Sequence, residues 1–449
     1  MATIENNGNL ARQRPRVIIV GAGFGGLSAA RQLANKPVNL LLIDRDNYHL
    51  FSPLLYQIAA AEIGPGEIAF PVRKILQKQK NAEFMLAHVR EIDLSAKVIK
   101  ADNLTIPYNY LILATGSATH FFNIPGAAEH SFPLKNMEQA VTLRNHILQC
   151  FELTVHERDE QKRKRLLTFV IVGGGPTGVE YAGALSELIY GPLKKDYKTL
   201  DLRDVKIILV EGAGNLLSNM PPKLQAYTLK RLREMHVDIQ FDSVVSRLGE
   251  GELYLRDGKK INSETVVWTA GVMGEPLAKS WGLPVVRNGL VKVSETLQLT
   301  EFPEVYVLGD MAYVMQDGNP LPMLAPAAMQ QGVSAARNIM RQINGKTPEP
   351  FHYKDNGTLA TIGRNAAAAH LGRWQFTGYP AWILWVVIHL FKLISFRNRL
   401  LVMINWAWDY LFFERALRLI MPRDRRLDSK SPSDNIPAHV KEQIESQTG

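Results

Sequence analysis

Residues 16–26 read Arg16-Val-Ile-Ile-Val-Gly21-Ala-Gly23-Phe-Gly25-Gly26, and residues 169–180 read Phe169-Val-Ile-Val-Gly173-Gly-Gly175-Pro-Thr-Gly178-Val-Glu180. Each stretch is a short β-branched apolar run, a glycine-rich turn and a helix start built from small residues. A continuous apolar run of this kind reads as a strand buried on both faces of a parallel sheet. Gly21, Gly23 and Gly26 complete one GxGxxG pattern, and Gly173, Gly175 and Gly178 complete another. Such glycines allow a tight turn and close backbone approach to a pyrophosphate. The following helix then meets that anion with its positive dipole end. Two such units predict an α/β chain with two Rossmann-like dinucleotide-binding domains.

Working outward from the first fingerprint, Asp44 closes the next apolar run, Asn39 to Ile43, and Arg45 follows it. An acid at that strand end accepts hydrogen bonds from a ribose 2′-hydroxyl. Two further strand ends belong with it: Tyr110-Leu-Ile-Leu-Ala-Thr115-Gly116 and Glu304-Val-Tyr-Val-Leu-Gly309-Asp310. Together they match the pattern of flavoproteins with two dinucleotide domains. The Ala-Thr-Gly turn then packs near the flavin nucleotide, and Asp310 contacts the ribityl chain. FAD is expected on Gly21, Gly23, Gly25, Gly26, Asp44, Arg45, Thr115, Gly116 and Asp310.

Beyond the second fingerprint, Glu211 ends the strand Val205 to Val210, 38 residues after Gly173. The usual spacing is about 20, so an insertion is expected around Tyr190 to Asp204. A carboxylate there favours the 2′-hydroxyl of NADH and repels the 2′-phosphate of NADPH. Glu180 reads in two ways. It is either a first-turn acid complementing the helix dipole, or a functional carboxylate near the nicotinamide. The expected division is 14–125 with 295–345 for FAD, 126–294 for NADH, 346–422 for a C-terminal membrane-associated region, and a polar tail over 423–449. The tail holds no periodic apolar pattern and reads as disordered. The charged run His156 to Arg165 reads as a solvated helix face, and a helical pattern spans Gln330 to Ile343.

Composition narrows the chemistry. The 449 residues contain one cysteine, Cys150. That excludes a redox-active cysteine pair and a cysteine-rich metal or iron–sulfur site. Cys150 itself reads as a small buried hydrophobe. No EF-hand-like loop is present, and no metal site is expected. Lys and Arg total 52 against 43 Asp and Glu, a net +9. Such an excess suits nucleic acid, an anionic membrane or acidic small molecules, and its placement decides between them. The N-terminus shows no apolar run before Val17, so it does not read as a secretory signal.

Three stretches carry a family resemblance: Tyr48-His-Leu-Phe-Ser-Pro-Leu-Leu-Tyr-Gln-Ile-Ala-Ala, Val172-Gly-Gly-Gly-Pro-Thr-Gly-Val-Glu, and the block from Ala381-Trp-Ile-Leu-Trp through Phe396-Arg-Asn-Arg-Leu to Arg418-Leu-Ile. With them the chain resembles the type II NADH:quinone oxidoreductases, single-subunit NADH dehydrogenases that pump no protons, over about Pro15 to Pro422. The resemblance implies FAD and NADH as cofactors, a membrane quinone as acceptor and a homodimer. By motif match it adds Gln330 to the FAD set and assigns Gly173, Gly175, Gly178, Glu180, Glu211, Ala270 and Gly271 to NADH. The family's quinone motif, Ala-Gln-x-Ala-x-Gln, falls on Ala325-Pro-Ala-Ala-Met-Gln-Gln. Ala325, Ala328 and Gln330 match, while Pro326 replaces the first Gln and supplies neither a side-chain donor nor a backbone N–H. Gln330 and Gln331 are then the residues to orient the quinone carbonyl, or they only cap a packed helix. With Glu180 they form the expected catalytic set. Some members place a Lys in the first C-terminal apolar helix, where Val386 stands here. His389 reads either as a proton donor or as a packed interfacial ring.

The charge excess gathers at the C-terminus. Trp374 to Phe391 is 18 residues without Asp, Glu, Lys or Arg, and a second aromatic block runs from Leu400 to Phe413. Gly378 and Pro380 leave the first block a usable helix of about 11 residues, short of the roughly 20 that span a bilayer. From Lys392 to Arg426 eight basic residues stand against three acids. Anionic headgroups attract such residues by about 1 kcal/mol each. The reading is an amphipathic helical region that anchors the chain in the interface, with a spanning helix and a dimer interface as alternatives. That places the protein on the cytoplasmic face of the cell inner membrane, with no nucleic acid partner. The function expected is NADH oxidation with hydride transfer to FAD and two-electron transfer to quinone. Alternatives are a soluble FAD-dependent NAD(P)H reductase or oxidase using oxygen or a small protein, a non-catalytic redox sensor, and an NADPH-using naphthoquinone reductase.

Overall fold

The computed structural model describes residues 14–412, 415 and 417–421; the polar tail over 423–449 lies outside them. Two five-stranded parallel sheets dominate. The first runs Val305–Val307, Tyr110–Leu113, Arg16–Val20, Asn39–Asp44, Ala82–Leu86 in spatial order. The second runs Phe132–Pro133, Thr265–Trp268, Thr168–Val172, Lys206–Val210, Val237–Gln240. Each apolar run leading to a fingerprint is the central strand of its sheet. Val17, Ile18, Ile19 and Phe169, Val170, Ile171 are all fully buried. Burial on both faces selects their β-branched, alternation-free composition.

The helices that matter to the site are α1 (Phe24–Gln32), α2 (Leu55–Ala59), α3 (Met137–His156), α4 (Pro176–Leu188), α5 (Ala325–Ile343), α6 (Gly378–Lys392) and α7 (Phe396–Phe412). α1 and α4 begin on the two fingerprints. α5 packs closely on α1 through glycine. A Cβ on Gly332 would sit 2.2 Å from the Gly25 carbonyl oxygen, and one on Gly25 would strike Leu308, so neither position tolerates a side chain. The first domain is discontinuous: its edge strand Val305–Val307 pairs with Tyr110–Leu113 from the N-terminal part.

The return into that domain comes earlier than residue 295. Ala278, Trp281, Leu283 and Val291 join the core of the first domain with Ile18, Leu111 and Val305. Ser117–Thr119 pairs with Val272–Gly274 at the crossing. No apolar periodicity marks such a crossing, which is why the sequence alone sets the boundary too late. The insertion expected before Lys206 holds a π-helical turn, Ile189–Leu193, and short turns to Asp204.

Two helices start sooner than their sequence suggests. α5 begins at Ala325 rather than near Gln330, with Pro326 in its first turn. α6 spans 15 residues from Gly378 because Pro380 also falls in a first turn. Proline is tolerated there since the first N–H groups of a helix have no partner within it. α6 packs on the three-stranded sheet Thr358–Thr361, Ala367–Leu371, Trp374–Thr377 through Ala381, Ala367 and Ala369. Among the described residues no helix is long and apolar enough to cross a membrane.

Candidate functional site

A cavity of about 800 Å³ lies where the C-terminal strand ends of the first sheet face the second domain. Its lining includes Gly21, Gly23, Gly25, Asp44, Arg45, Thr115, Gly116 and Asp310, as the sequence leads one to expect. Gly21 has φ +108°, and its missing Cβ would lie 2.3 Å from the Ala114 carbonyl oxygen. Gly26 lies behind the cavity wall: a Cβ there would strike the Gly21 carbonyl, so this glycine keeps strand and helix together. Gly23 and Gly116 have open space where a side chain would be, which is the cradle an approaching pyrophosphate and flavin need. Asp44 accepts from Ala22 N at 2.5 Å and Asp46 N at 2.9 Å. Burial nonetheless raises its pKa. Asp310 accepts from Ser117 Oγ at 2.8 Å. Thr115 Oγ1 donates to Met311 Sδ at 3.2 Å. Arg45 pairs loosely with Asp46 at 3.9 Å and stays exposed. The set fits FAD.

The second fingerprint opens on the protein surface. Gly173 has φ +110° and packs on Ala270, while Gly178 sits under the Gly173 carbonyl. Gly175 is the exposed N-cap of α4, with nothing within 4 Å of the place a Cβ would take. Glu211 accepts from Gly174 N at 2.5 Å and Ala213 N at 2.8 Å. Those two donors hold its carboxylate at the strand end, where an adenosine ribose would arrive. Gly271 has φ +74°, with Phe122 against its bare α-carbon.

Glu180 joins this region to a second cavity. It lines the 800 Å³ space and also a neighbouring one of about 420 Å³. The Glu180 residue is half-buried, and it lies on the lining of both spaces. Thr361 N donates to its Oε1 at 3.4 Å. Trp385 lies beside it, near enough to favour the charged form, yet its Nε1 makes no well-aligned hydrogen bond. Burial dominates and pushes the Glu180 pKa up to about 8. Tyr56 lines both spaces as well. Its hydroxyl is 3.0 Å from Thr361 Oγ1 and accepts from Gln57 Nε2 at 3.2 Å. Trp382 and Trp385 of α6 and Trp406 of α7 form the aromatic wall, with Val386 of α6 beside them. Trp406 Nε1 donates to Gln57 Oε1 at 3.0 Å. At the other end Arg415 binds Glu62, Glu187 and the carbonyls of Ala60 and Ala184 at 2.7–3.2 Å.

Three residues singled out in the sequence line neither cavity. Gln330 lines neither cavity; its amide is clipped to the Lys354 backbone by bonds of 2.9 and 3.0 Å. Its matched position in α5 points it at the segment after the helix, not at the cofactor space. Gln331 is buried, and its Oε1 accepts from Gly309 N at 2.6 Å. It fixes the turn that carries Gly309 and Asp310 and lines neither cavity itself. His389 is the packed ring: it stacks on Trp385 at 4.2 Å and burial lowers its pKa to about 4. It is uncharged at neutral pH and holds the Trp385 carbonyl through Nδ1 at 2.8 Å. Sequence reasoning misses Tyr56, Gln57 and Thr361. Tyr56 and Gln57 do lie in the quoted Tyr48 to Ala60 stretch, but Thr361 sits in no motif. Among the described residues no cluster could hold a metal.

Comparison with known proteins agrees with this geometry. Residues 15–332 match the family model for pyridine nucleotide-disulphide oxidoreductases, and residues 356–415 match that for the NDH2 C-terminal domain. The chain is 36% identical over 419 residues to the type II NADH:quinone oxidoreductase Ndh of Mycobacterium tuberculosis, covering 90% of each chain. It is 30% identical over 363 residues to a type II NADH:quinone oxidoreductase of Staphylococcus aureus, covering 79% of this chain and 89% of that one. The solved structure of NDH2 from Plasmodium falciparum in complex with NADH superposes with a TM-score of 0.83 at 20% identity, covering 91% of this chain and all of that one. With both nucleotide folds, the C-terminal block and curated relatives in accord, the chain belongs to the type II NADH:quinone oxidoreductase family, whose cofactors are FAD and NADH.

Proposed function

We propose that the chain oxidises NADH at the second domain and reduces a membrane quinone, without moving protons across the bilayer. The observation that carries this reading is the position of Glu180, at the junction of the cofactor cavity and an aromatic-walled cavity under α6 and α7. Bound FAD supplies the chemistry that accepts hydride and passes on two electrons. The chain's residues do the rest. The α4 N-terminus and Glu211 hold NADH, and Asp44 and Asp310 hold FAD. Glu180, protonated below about pH 8, carries a proton at the place where quinone oxygens would need one. Tyr56 and Thr361 keep that carboxyl in place.

The same reading makes the protein peripheral, on the cytoplasmic face of the inner membrane. Phe391 and Phe396 are 69% and 79% exposed at the tips of α6 and α7, beside exposed Lys392 and Arg397. Apolar tips ringed by cations suit an anionic interface. A homodimer belongs to the same proposal, and sedimentation in detergent tests it. The deciding assay is NADH oxidation by the full chain in liposomes with and without a lipid-soluble quinone. Turnover that needs quinone supports the proposal; equal turnover without quinone, with oxygen consumed, overturns it.

A further inference from the structure

Lys135 stands at the seam between the two domains. Phe132–Pro133 pairs with Val267–Trp268, which fixes the chain just before it. The Lys135 N–H donates to Gln139 Oε1 at 2.8 Å, and Asn136 caps α3 by accepting from Gln139 N. From this rigid base the side chain crosses to the other domain. Its Nζ lies 3.9 Å from Asp310 Oδ2, the oxygen that Ser117 also holds. Burial lowers the Lys135 pKa and Asp310 opposes that shift.

An ammonium has three donors to satisfy. Among the described residues the Lys135 ammonium makes no hydrogen bond, and its carboxylate partner at 3.9 Å lies beyond hydrogen-bond length. The Lys135 side chain is 34% exposed, and a cation so covered and so incompletely paired gains from a further acceptor in the space. The residue lines the 800 Å³ cavity, and the acceptor that belongs in that cavity is FAD. Hydride transfer moves two electrons and one proton from NADH to the flavin, and NAD leaves one unit more positive. With FAD bound, such a transfer would leave one added negative charge in this cavity until a proton followed. Glu180 and Asp310 line the same cavity and oppose that charge whenever they are ionised; Lys135 favours it. Fixed charges act more strongly in such a partly covered space than in bulk water.

We propose that Lys135 is a cofactor-binding residue whose positive charge stabilises FAD in its reduced state, with Asp310, itself held by Ser117, as the positioning carboxylate that faces the ammonium. This rests on FAD and NADH alone and is independent of the acceptor.

The test uses the full chain with FAD bound. Lys135→Met keeps the side-chain length and removes the charge. It should retain one FAD per chain, show a more negative flavin potential in an anaerobic redox titration, and accept hydride about tenfold more slowly, equivalent to roughly 1.4 kcal/mol. The NADH KM should stay nearly constant, and Lys135→Arg should restore the potential. An unchanged potential in Lys135→Met, or equal shifts in both variants, overturns the proposal. If Lys135→Met loses FAD, Lys135→His decides. Its potential should rise more steeply than that of the parent protein as pH falls through the imidazole titration, and a parental slope overturns the proposal.

Discussion

Arg415 Nη2 donates to Glu187 Oε2 at 3.2 Å, two turns along α4 from Glu180. The C-terminal region is thus bonded to the very helix that presents the central carboxyl. Arg415→Met removes this contact together with the 2.7 Å bond to Glu62 and two carbonyl contacts. Breaking one side of a buried ion pair destabilises by about 3 kcal/mol. Denaturant unfolding of the FAD-bound protein should show that loss, with partial recovery in Arg415→Lys.

Glu180 gives a pH dependence with a definite sign. Its folded pKa, about 8, lies above the ordinary value of 4.5. Between those values the native state keeps a proton that the unfolded chain has lost, so stability falls as pH rises across that window. Glu180→Gln should match the parent near pH 5 and be the more stable of the two near pH 8. Quinone-dependent turnover should drop by about 10²-fold with FAD still bound. Unaltered turnover would remove Glu180 from the chemistry.

Nucleotide choice should follow Glu211. Its carboxylate is fixed by Gly174 N and Ala213 N, so it meets a 2′-phosphate with full repulsion. Glu211→Ser with Ala213→Arg should lower kcat/KM for NADH and raise it for NADPH, by about tenfold each for a change near 1.4 kcal/mol. Steady-state kinetics with both donors reads this directly. A parent protein that already prefers NADPH contradicts the role given to Glu211.

Membrane attachment should depend on the helix tips. Phe391→Asp with Phe396→Asp exposes no core, since both rings are largely in solvent. Flotation with anionic vesicles should fall at least tenfold, and NADH oxidation with a water-soluble quinone should stay near the parent value. Undiminished flotation would place the contact surface elsewhere.

The fold is legible in the sequence because its deciding signals are local. A fingerprint such as Gly21 to Gly26 encodes strand end, turn and helix start within one short stretch, although Gly21 and Gly25 answer to Ala114 and Leu308, far along the chain, and only Gly26 answers to a near neighbour. Pro326 is harder to read. Along the chain it looks like a break in a motif, and in the fold it is an ordinary first-turn residue of α5. Arg415, Thr361 and Lys135 are illegible for a different reason. Each acts through partners more than 100 residues away, and no pattern along the chain encodes that proximity. Gln331 shows the limit of motif matching, since its side chain serves the Gly309 turn and lines neither cavity.

The glycine contact between α1 and α5 bears on how the protein is made. Gly25 and Gly332 touch, and Val305–Val307 completes a sheet begun near residue 16. On the ribosome the second domain emerges whole while the first still lacks an edge strand and a helix. Domains generally fold as units in order of emergence, so the later-encoded domain closes first here. Until α5 has left the exit tunnel the nascent chain has no complete flavin cradle. Cofactor can therefore fill its place only after α5 has emerged, and chains truncated before Ala325 should be colourless.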